Sequence, residues 1–297
     1  MKILAHNFNQ VLTDILPYFE LTDDIDEAEK VVLWQDEVLI GRSVAKLAIS
    51  KRKPVIVVQH GAGACGERSK YYPPFNIELL ANKICVWGED AKNGLLGLGI
   101  SPKRIEVTGT TVLKHLKPRV KHKGVNIVFC PAHWCAGEID ENKQVAKILR
   151  KIKGVNITTK IIEGHNPSYY DNPVFSYRSS PDHLEICADV LSKADLVVGL
   201  TEGTFELMAM VLDIPIVMAD IWKPKICMGD MRYLNIKQTY TIGSKKVQDL
   251  SKLEQVIRQQ LKNPDEFKEK RKQVTIIEGG VNIENPLERI VDVIKNA

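Results

Sequence analysis

The stretch "VVGLTEGTFELMAMVLDIPIVMAD", Val197 to Asp220, reads as a short apolar run, a Thr-Glu-Gly-Thr break, an apolar helix and a second apolar run. Two buried strands joined through a helix are the repeating unit of a parallel sheet. Gly203 lets the backbone approach a ligand closely, and Thr201 and Thr204 supply hydroxyls. The first N–H groups of a helix have no intrahelical partner, so this turn is predicted to receive an anion such as a phosphate or diphosphate. Ordinary N-capping by Thr201 or Thr204 accounts equally well for the turn taken alone.

Working outward, the same alternation fills the chain. Strands are predicted at 2–5, 30–34, 55–59, 84–87 and 105–108, with helices at 8–19, 41–50, 76–81, 91–98 and 112–116. Then comes "KHLKPRVKHKG", Lys114 to Gly124, which is basic, holds a proline and lacks apolar periodicity. It reads as a solvated hinge in preference to a phosphate-binding patch, since charge runs are usually solvated. Beyond it strands are predicted at 126–130, 156–162, 196–200, 214–219 and 239–242, with helices at 141–151, 183–192, 204–212 and 252–261 and two more begun by Asn-Pro. The expected organisation is a first Rossmann-like domain over 1–117, a linker over 118–124 and a second Rossmann-like domain over 125–297, with the last helix returning to the first domain.

Length and composition agree with a globular chain: 297 residues, 44% apolar and 26% charged. No apolar run reaches the roughly 18 to 20 residues of a spanning helix, and "MKILAHNFNQ" is too short in its apolar part for a signal peptide. A cytoplasmic protein with no transmembrane segment, a monomer or homodimer, is expected. The six cysteines are too sparse for a disulfide framework. Cys130, His133 and Cys135 match no common zinc spacing, so no metal and no other cofactor is expected. The net charge of +4 is a weak bias toward anionic partners. No stripe of Lys and Arg interleaved with aromatics favours nucleic acid.

In open α/β sheets ligands bind beyond the carboxyl ends of the strands, and two such halves facing each other make a cleft there. The strand ends carry Gln35, Asp36 and Glu37; His60 and Gly61; Gly109, Thr110 and Thr111; His133; His165 and Asn166; and Thr201, Glu202, Gly203, Thr204 and Glu206. Arg68 and Lys70, in the glycine-rich segment after His60, read either as phosphate ligands or as exposed loop charges. Polar residues and glycines thus gather at one end of the strands in both halves.

These segments resemble the nucleotide-sugar enzymes of the glycosyltransferase-B fold, and within them are most similar to the UDP-N-acetylglucosamine 2-epimerases. "RIEVTGTTVLKHL" resembles the epimerase V-T-G-N-T-V, "VVGLTEGTFELMAMVLDIPIVM" resembles D-S-G-G-x-Q-E-E-A before L-G-x-P-V, and "GHNP" is similar to H-x-N-P. "VVLWQDE" resembles the G-D-T strand end, and "QHGAGACGERS" falls where the family has H-x-E-A-G-x-R. The resemblance covers about residues 30 to 220, with a similar closing "ERIVDVIKN". It implies two doubly wound domains facing across a cleft, a nucleoside-diphosphate sugar on the second domain and the acceptor on the first.

The departures shape the expected activity. Asp36 keeps the carboxylate of G-D-T, but the glutamate of H-x-E-A-G falls on Ala62, and the next acidic pair falls near Phe75 and Asn76. Epimerisation at C2 needs more acid and base groups than these leave. The glutamate that in this family holds the donor ribose falls on Met208, so Glu206 or Glu202 is expected in that role. "QHG" also resembles the W-H-G of CDP-glycerol glycerophosphotransferases, whose histidine implies a base at His60. The leading expectation is an inverting glycosyltransferase using a nucleoside-diphosphate sugar, UDP favoured. His60 or Asp36 is its base, and His165, Asn166 and the Thr201 to Glu206 turn hold the donor diphosphate. The acceptor is left as a glycan, a lipid-linked saccharide or a modified nucleic acid. The alternatives are a UDP-N-acetylglucosamine 2-epimerase, a CDP-glycerol-type transferase and a non-catalytic nucleotide-sugar binding protein.

Overall fold

The computed structural model of the chain describes residues 1–6, 10–34, 39–61, 79–97, 99–132, 140–177, 180–200, 203–221 and 242–297. They form two compact units, Met1–Lys114 with Ile276–Ala297, and His115–Thr275.

The first unit is built on β1 (Lys2–His6), β2 (Glu20–Leu21), β3 (Lys30–Leu33), β4 (Val55–Val58), β5 (Lys83–Val86) and β6 (Ile105–Val107), all parallel, in the order β2-β1-β3-β4-β5-β6. All four residues of β4 are buried, which requires an apolar strand covered on both faces. Helices α1 (Gln10–Ile15), α2 (Leu39–Ser50) and α3 (Glu89–Gly97) belong to this unit. The second unit holds β7 (Val125–Cys130), β8 (Val155–Ile161), β9 (Pro173–Phe175), β10 (Leu196–Gly199), β11 (Ile216–Ala219) and β12 (Lys245–Val247), again parallel, in the order β12-β11-β10-β7-β8-β9. Its helices are α4 (Asp140–Leu149), α5 (His183–Ser192), α6 (Thr204–Val211) and α7 (Leu253–Lys262). Helix α8 (Lys268–Ile277) leads the chain back to the first unit, where α9 (Pro286–Asn296) ends it.

Each unit is therefore a doubly wound parallel α/β fold. The sequence pattern missed β2 and β9, which are two and three residues long, too short for a period to show. The last strand was expected at 239–242; residues 239–241 lie outside the described residues, and β12 is Lys245–Val247, an edge strand whose lysines disguise it. The helix expected at 112–116 is a 3-10 turn over Thr111–His115.

The basic segment is fastened to the second unit. Lys117 pairs with Asp189 at 2.7 Å, Arg119 donates to Ala194 O at 2.9 Å, and Val120 N–H donates to Ser192 O at 2.7 Å. Its cations meet acidic residues and carbonyls at the end of α5, while residues 117–121 remain exposed to solvent. Compactness ends the first unit at Lys114, where the sequence placed the end at 117, and returns 276–297 to it.

That return is made by close backbone packing. A Cβ on Gly88 would lie 2.1 Å from Ile277 O, and one on Gly280, at φ +60, would lie 2.1 Å from Trp87 O. Lys30 Nζ donates to the carbonyls of Ile294 and Lys295 at 2.8 and 2.7 Å, closing the last turn of α9. Gly88→Ala forces two backbones apart and is expected to cost about 2 kcal/mol. Thermal unfolding checks this, and an unchanged Tm would show that the approach is not needed.

Candidate active site

Strand order marks where a ligand belongs in each unit. In the second, chain order reverses between β7 and β10, and the crevice outside that switch point is the usual ligand position. β10 ends at Gly199, and α6 begins after Gly203, whose extended backbone (φ −166, ψ −176) starts the helix with no side-chain cap. The polar turn read from the sequence is thus at the switch point. Thr201 and Glu202 lie outside the described residues.

One group at this helix start has a role the sequence did not disclose. Glu206, in the third helical position, folds its carboxyl back to accept hydrogen bonds from the N–H groups of Gly203 and of Glu206 itself, half of a capping box. The Cys130 thiol, at the end of β7, donates to the same carboxyl. The carboxyl packs directly against the end of β10, where a Cβ on Gly199 would lie 2.9 Å from Glu206 Oε1. The side chain is 3% exposed, and burial pushes its pKa up to about 7, against the smaller opposing effect of these hydrogen bonds. Enclosed in this way, Glu206 is turned from solvent, with its carboxyl engaged inside the second unit, where the sequence reading had offered it to the donor ribose.

His165 is also spent inside the protein. Its Nδ1 accepts from Ile162 N–H at 3.2 Å, and its Nε2 lies 3.1 Å from Ala132 O, to which only an N–H can donate. The ring therefore ties the loop after β8 to the end of β7. Asn142 holds Ala132 from the other side, with both amide atoms at 2.8 Å from its backbone N and O. Asn166 Oδ1 accepts from the N–H and hydroxyl of Ser168 at 3.0 and 2.8 Å, capping the turn at Pro167–Tyr169. These two residues shape the switch-point loops.

In the first unit the order reverses between β1 and β3, and β3 ends at Trp34. Asp36, Arg68 and His133 lie outside the described residues. His60 follows β4 and is half-buried, its ring edge-on to Trp34 with centroids 4.0 Å apart and planes at 83°. His60 Nδ1 lies 3.3 Å from Trp34 O. A carbonyl only accepts, so Nδ1 carries the proton in this contact, and in the neutral ring Nε2 carries the lone pair. Gln59 braces the turn: Oε1 accepts from Trp87 N–H at 2.7 Å and Nε2 donates to Gly61 O at 2.8 Å. Gly109 and Thr110, expected to line the site, are buried instead. Gly109 (φ +78) packs against Ile283 and Pro286 of the returning tail, and Thr110 Oγ1 accepts from Val112 N–H at 3.2 Å.

No family model and no curated protein matches the chain. Among solved structures, a UDP-GlcNAc 2-epimerase from Neisseria meningitidis bound to UDP-GlcNAc is 15% identical, with a TM-score of 0.57 over 96% of this chain and 79% of that one. A putative UDP-N-acetylglucosamine 2-epimerase from Listeria monocytogenes is 14% identical, with a TM-score of 0.64 over 100% of this chain and 96% of that one. The wall teichoic acid polymerase TagF is 11% identical, with a TM-score of 0.63 over 99% of this chain and 88% of that one. Both kinds of protein were anticipated by the sequence resemblance, and at such identities the likeness speaks to architecture. With two doubly wound parallel sheets and these neighbours, the chain has the glycosyltransferase-B fold.

Proposed function

We propose that the protein is a glycosyltransferase that moves a sugar from a nucleoside-diphosphate sugar, UDP favoured, to an acceptor hydroxyl with inversion. The observation that carries this reading is His60: an imidazole at a β4 end whose Nδ1 is committed to Trp34 O, so that Nε2 is the basic atom. In the reaction the acceptor oxygen attacks the anomeric carbon and its proton passes to His60 Nε2. The bond from the anomeric carbon to the diphosphate oxygen breaks, and the charge leaves with the diphosphate. A base of this kind contributes a hundred- to ten-thousand-fold. The start of α6, with Gly203 and Thr204, is the proposed seat of the leaving diphosphate, where helix N–H groups favour negative charge. Asp36 remains the alternative base. His165 and Asn142 are assigned to holding the β7 and β8 ends in place.

Epimerisation of UDP-N-acetylglucosamine is the second reading, favoured by architectural neighbours that are epimerases over 96–100% of this chain. Against it stand Ala62, Phe75 and Asn76 where the family motif has carboxylates. Incubation with UDP-N-acetylglucosamine alone separates the two: appearance of the C2 epimer, free or nucleotide-bound, supports the second reading and removes the first. For either, a nucleoside diphosphate at a hundred times its Kd is expected to stabilise the chain by about 2.7 kcal/mol. A thermal-shift panel of UDP, CDP, GDP and dTDP reads this as a rise of several degrees for one of them. No rise with any would remove the diphosphate site and both readings.

A further inference from the structure

We propose that Gln59 is a positioning residue that sets the tautomer and orientation of the His60 imidazole; its meaning for catalysis rests on the reading of His60 as the base. Gln59 has no exposed surface, and every polar group it owns is used to hold one turn. Its N–H donates to Cys85 O at 3.0 Å and its C=O accepts from Trp87 Nε1 at 2.9 Å. Its side chain accepts from Trp87 N–H at 2.7 Å and donates to Gly61 O at 2.8 Å. The main chain thus fastens the end of β4 to the end of β5, and the amide bridges residue 59 to residue 61 across His60.

The consequence falls on His60 because it is the residue spanned. With Gly61 free to turn, nothing in this bracing would fix the side chain of residue 60, and its contact to Trp34 O, at 3.3 Å, is at the long edge of hydrogen-bond range. A small rotation of the turn breaks that contact and releases the proton from Nδ1. The brace is itself backed from behind: Trp87 O faces the returning tail, which approaches so closely that residue 280 must be glycine. An apolar residue of the same length at 59 would fill the same space but strand the buried Trp87 N–H and the half-buried Gly61 carbonyl, which must then shift to find partners.

The test uses the full chain labelled with 15N in histidine, where two-bond proton–nitrogen spectra separate the Nδ1–H from the Nε2–H form. Seven histidines are present, and His60 is assigned by the signal lost in His60→Ala. In the wild type His60 is expected as the Nδ1–H form when neutral. In Gln59→Met and in Trp87→Phe it is expected to move toward the mixed population of a solvated imidazole. Turnover in Gln59→Met should fall at least about tenfold in kcat, as for a misplaced catalytic group, with the donor KM within about twofold. The thermal shift given by the nucleoside diphosphate should be retained. An unchanged tautomer in a folded Gln59→Met, or a loss that appears only in KM, overturns the proposal. Should Gln59→Met fail to fold, Trp87→Phe, which keeps an aromatic ring and deletes the indole N–H that donates to Gln59 O, decides it by the same spectrum. A moved tautomer alongside undiminished turnover in His60→Ala upholds the positioning and removes His60 as the base, so the two failures are told apart.

Discussion

Replacing His60 by alanine is expected to lower turnover of a nucleotide sugar a hundred- to ten-thousand-fold. Binding of the nucleoside diphosphate should be nearly unaffected, because the proposed diphosphate seat at Gly203 and Thr204 belongs to the other unit. The loss should appear in kcat and in kcat/KM together, the signature of an interaction made in the transition state and not in the ground state. His60→Gln, which keeps a polar side chain but cannot take a proton near neutral pH, should lose as much as alanine. Turnover is measured by donor consumption in the presence of acceptor, and binding by calorimetry with UDP. Full turnover in His60→Ala would transfer the role of base to Asp36 or end the transferase reading.

Glu206→Gln is expected to flatten a pH dependence of stability that the wild type possesses. The carboxyl is buried and its pKa is raised to about 7 in the folded protein, from an unfolded value of 4.5. Between those values the folded chain holds a proton that the unfolded chain has released, so folded stability decreases as pH rises through that window and levels off above it. The cost amounts to about 3 kcal/mol at alkaline pH. Among the described residues, the titratable groups beside the carboxyl are the thiols of Cys130 on β7 and Cys187 on α5, both pushed up by burial. The buried Lys160 amine on β8 stands by the same thiols and is pushed down. The cysteines remain protonated throughout the window, so the titration belongs to Glu206. Urea unfolding at a series of pH values should therefore show wild type and Glu206→Gln alike near pH 4.5, and the variant more stable by about 3 kcal/mol above pH 7. Parallel curves would show that the carboxyl is not held as its burial implies. The same carboxyl occupies the helix start assigned to the diphosphate, so UDP affinity should rise on acidification in the wild type and not in the variant.

How much of this was legible in the sequence follows from how local each feature is. The doubly wound halves show in apolar runs such as Val55–Val58 and in the Val197 to Asp220 stretch, because a strand buried on both faces must be apolar at every position. His60 was also legible, since the polar residues that follow such a run lie at a strand end. Gln59 was not, because its partner Trp87 is 28 residues away and only the pairing of β4 with β5 brings them together. His165 and Glu206 were assigned to ligand binding because histidines and glutamates at strand ends and helix starts do bind ligands. Which way they turn is decided by Ala132 O and by Cys130, both from β7 or just beyond it, and no local pattern records that. Gly109 was read as an opening for a ligand, yet its space is taken by Ile283 and Pro286, more than a hundred residues later in the chain.

The seating of Ile276–Ala297 on the first unit also bears on how the protein is made. Synthesis runs from the amino end, and domains generally fold as they are completed. Here the order is inverted: His115–Thr275 is fully synthesised while the first unit still lacks the glycine that meets Trp87 and the helix end that Lys30 closes. The unit that leaves the ribosome first is the last to be finished. Its β5 end, beside the turn that carries His60, stays unsealed until Ile276–Ala297 is made.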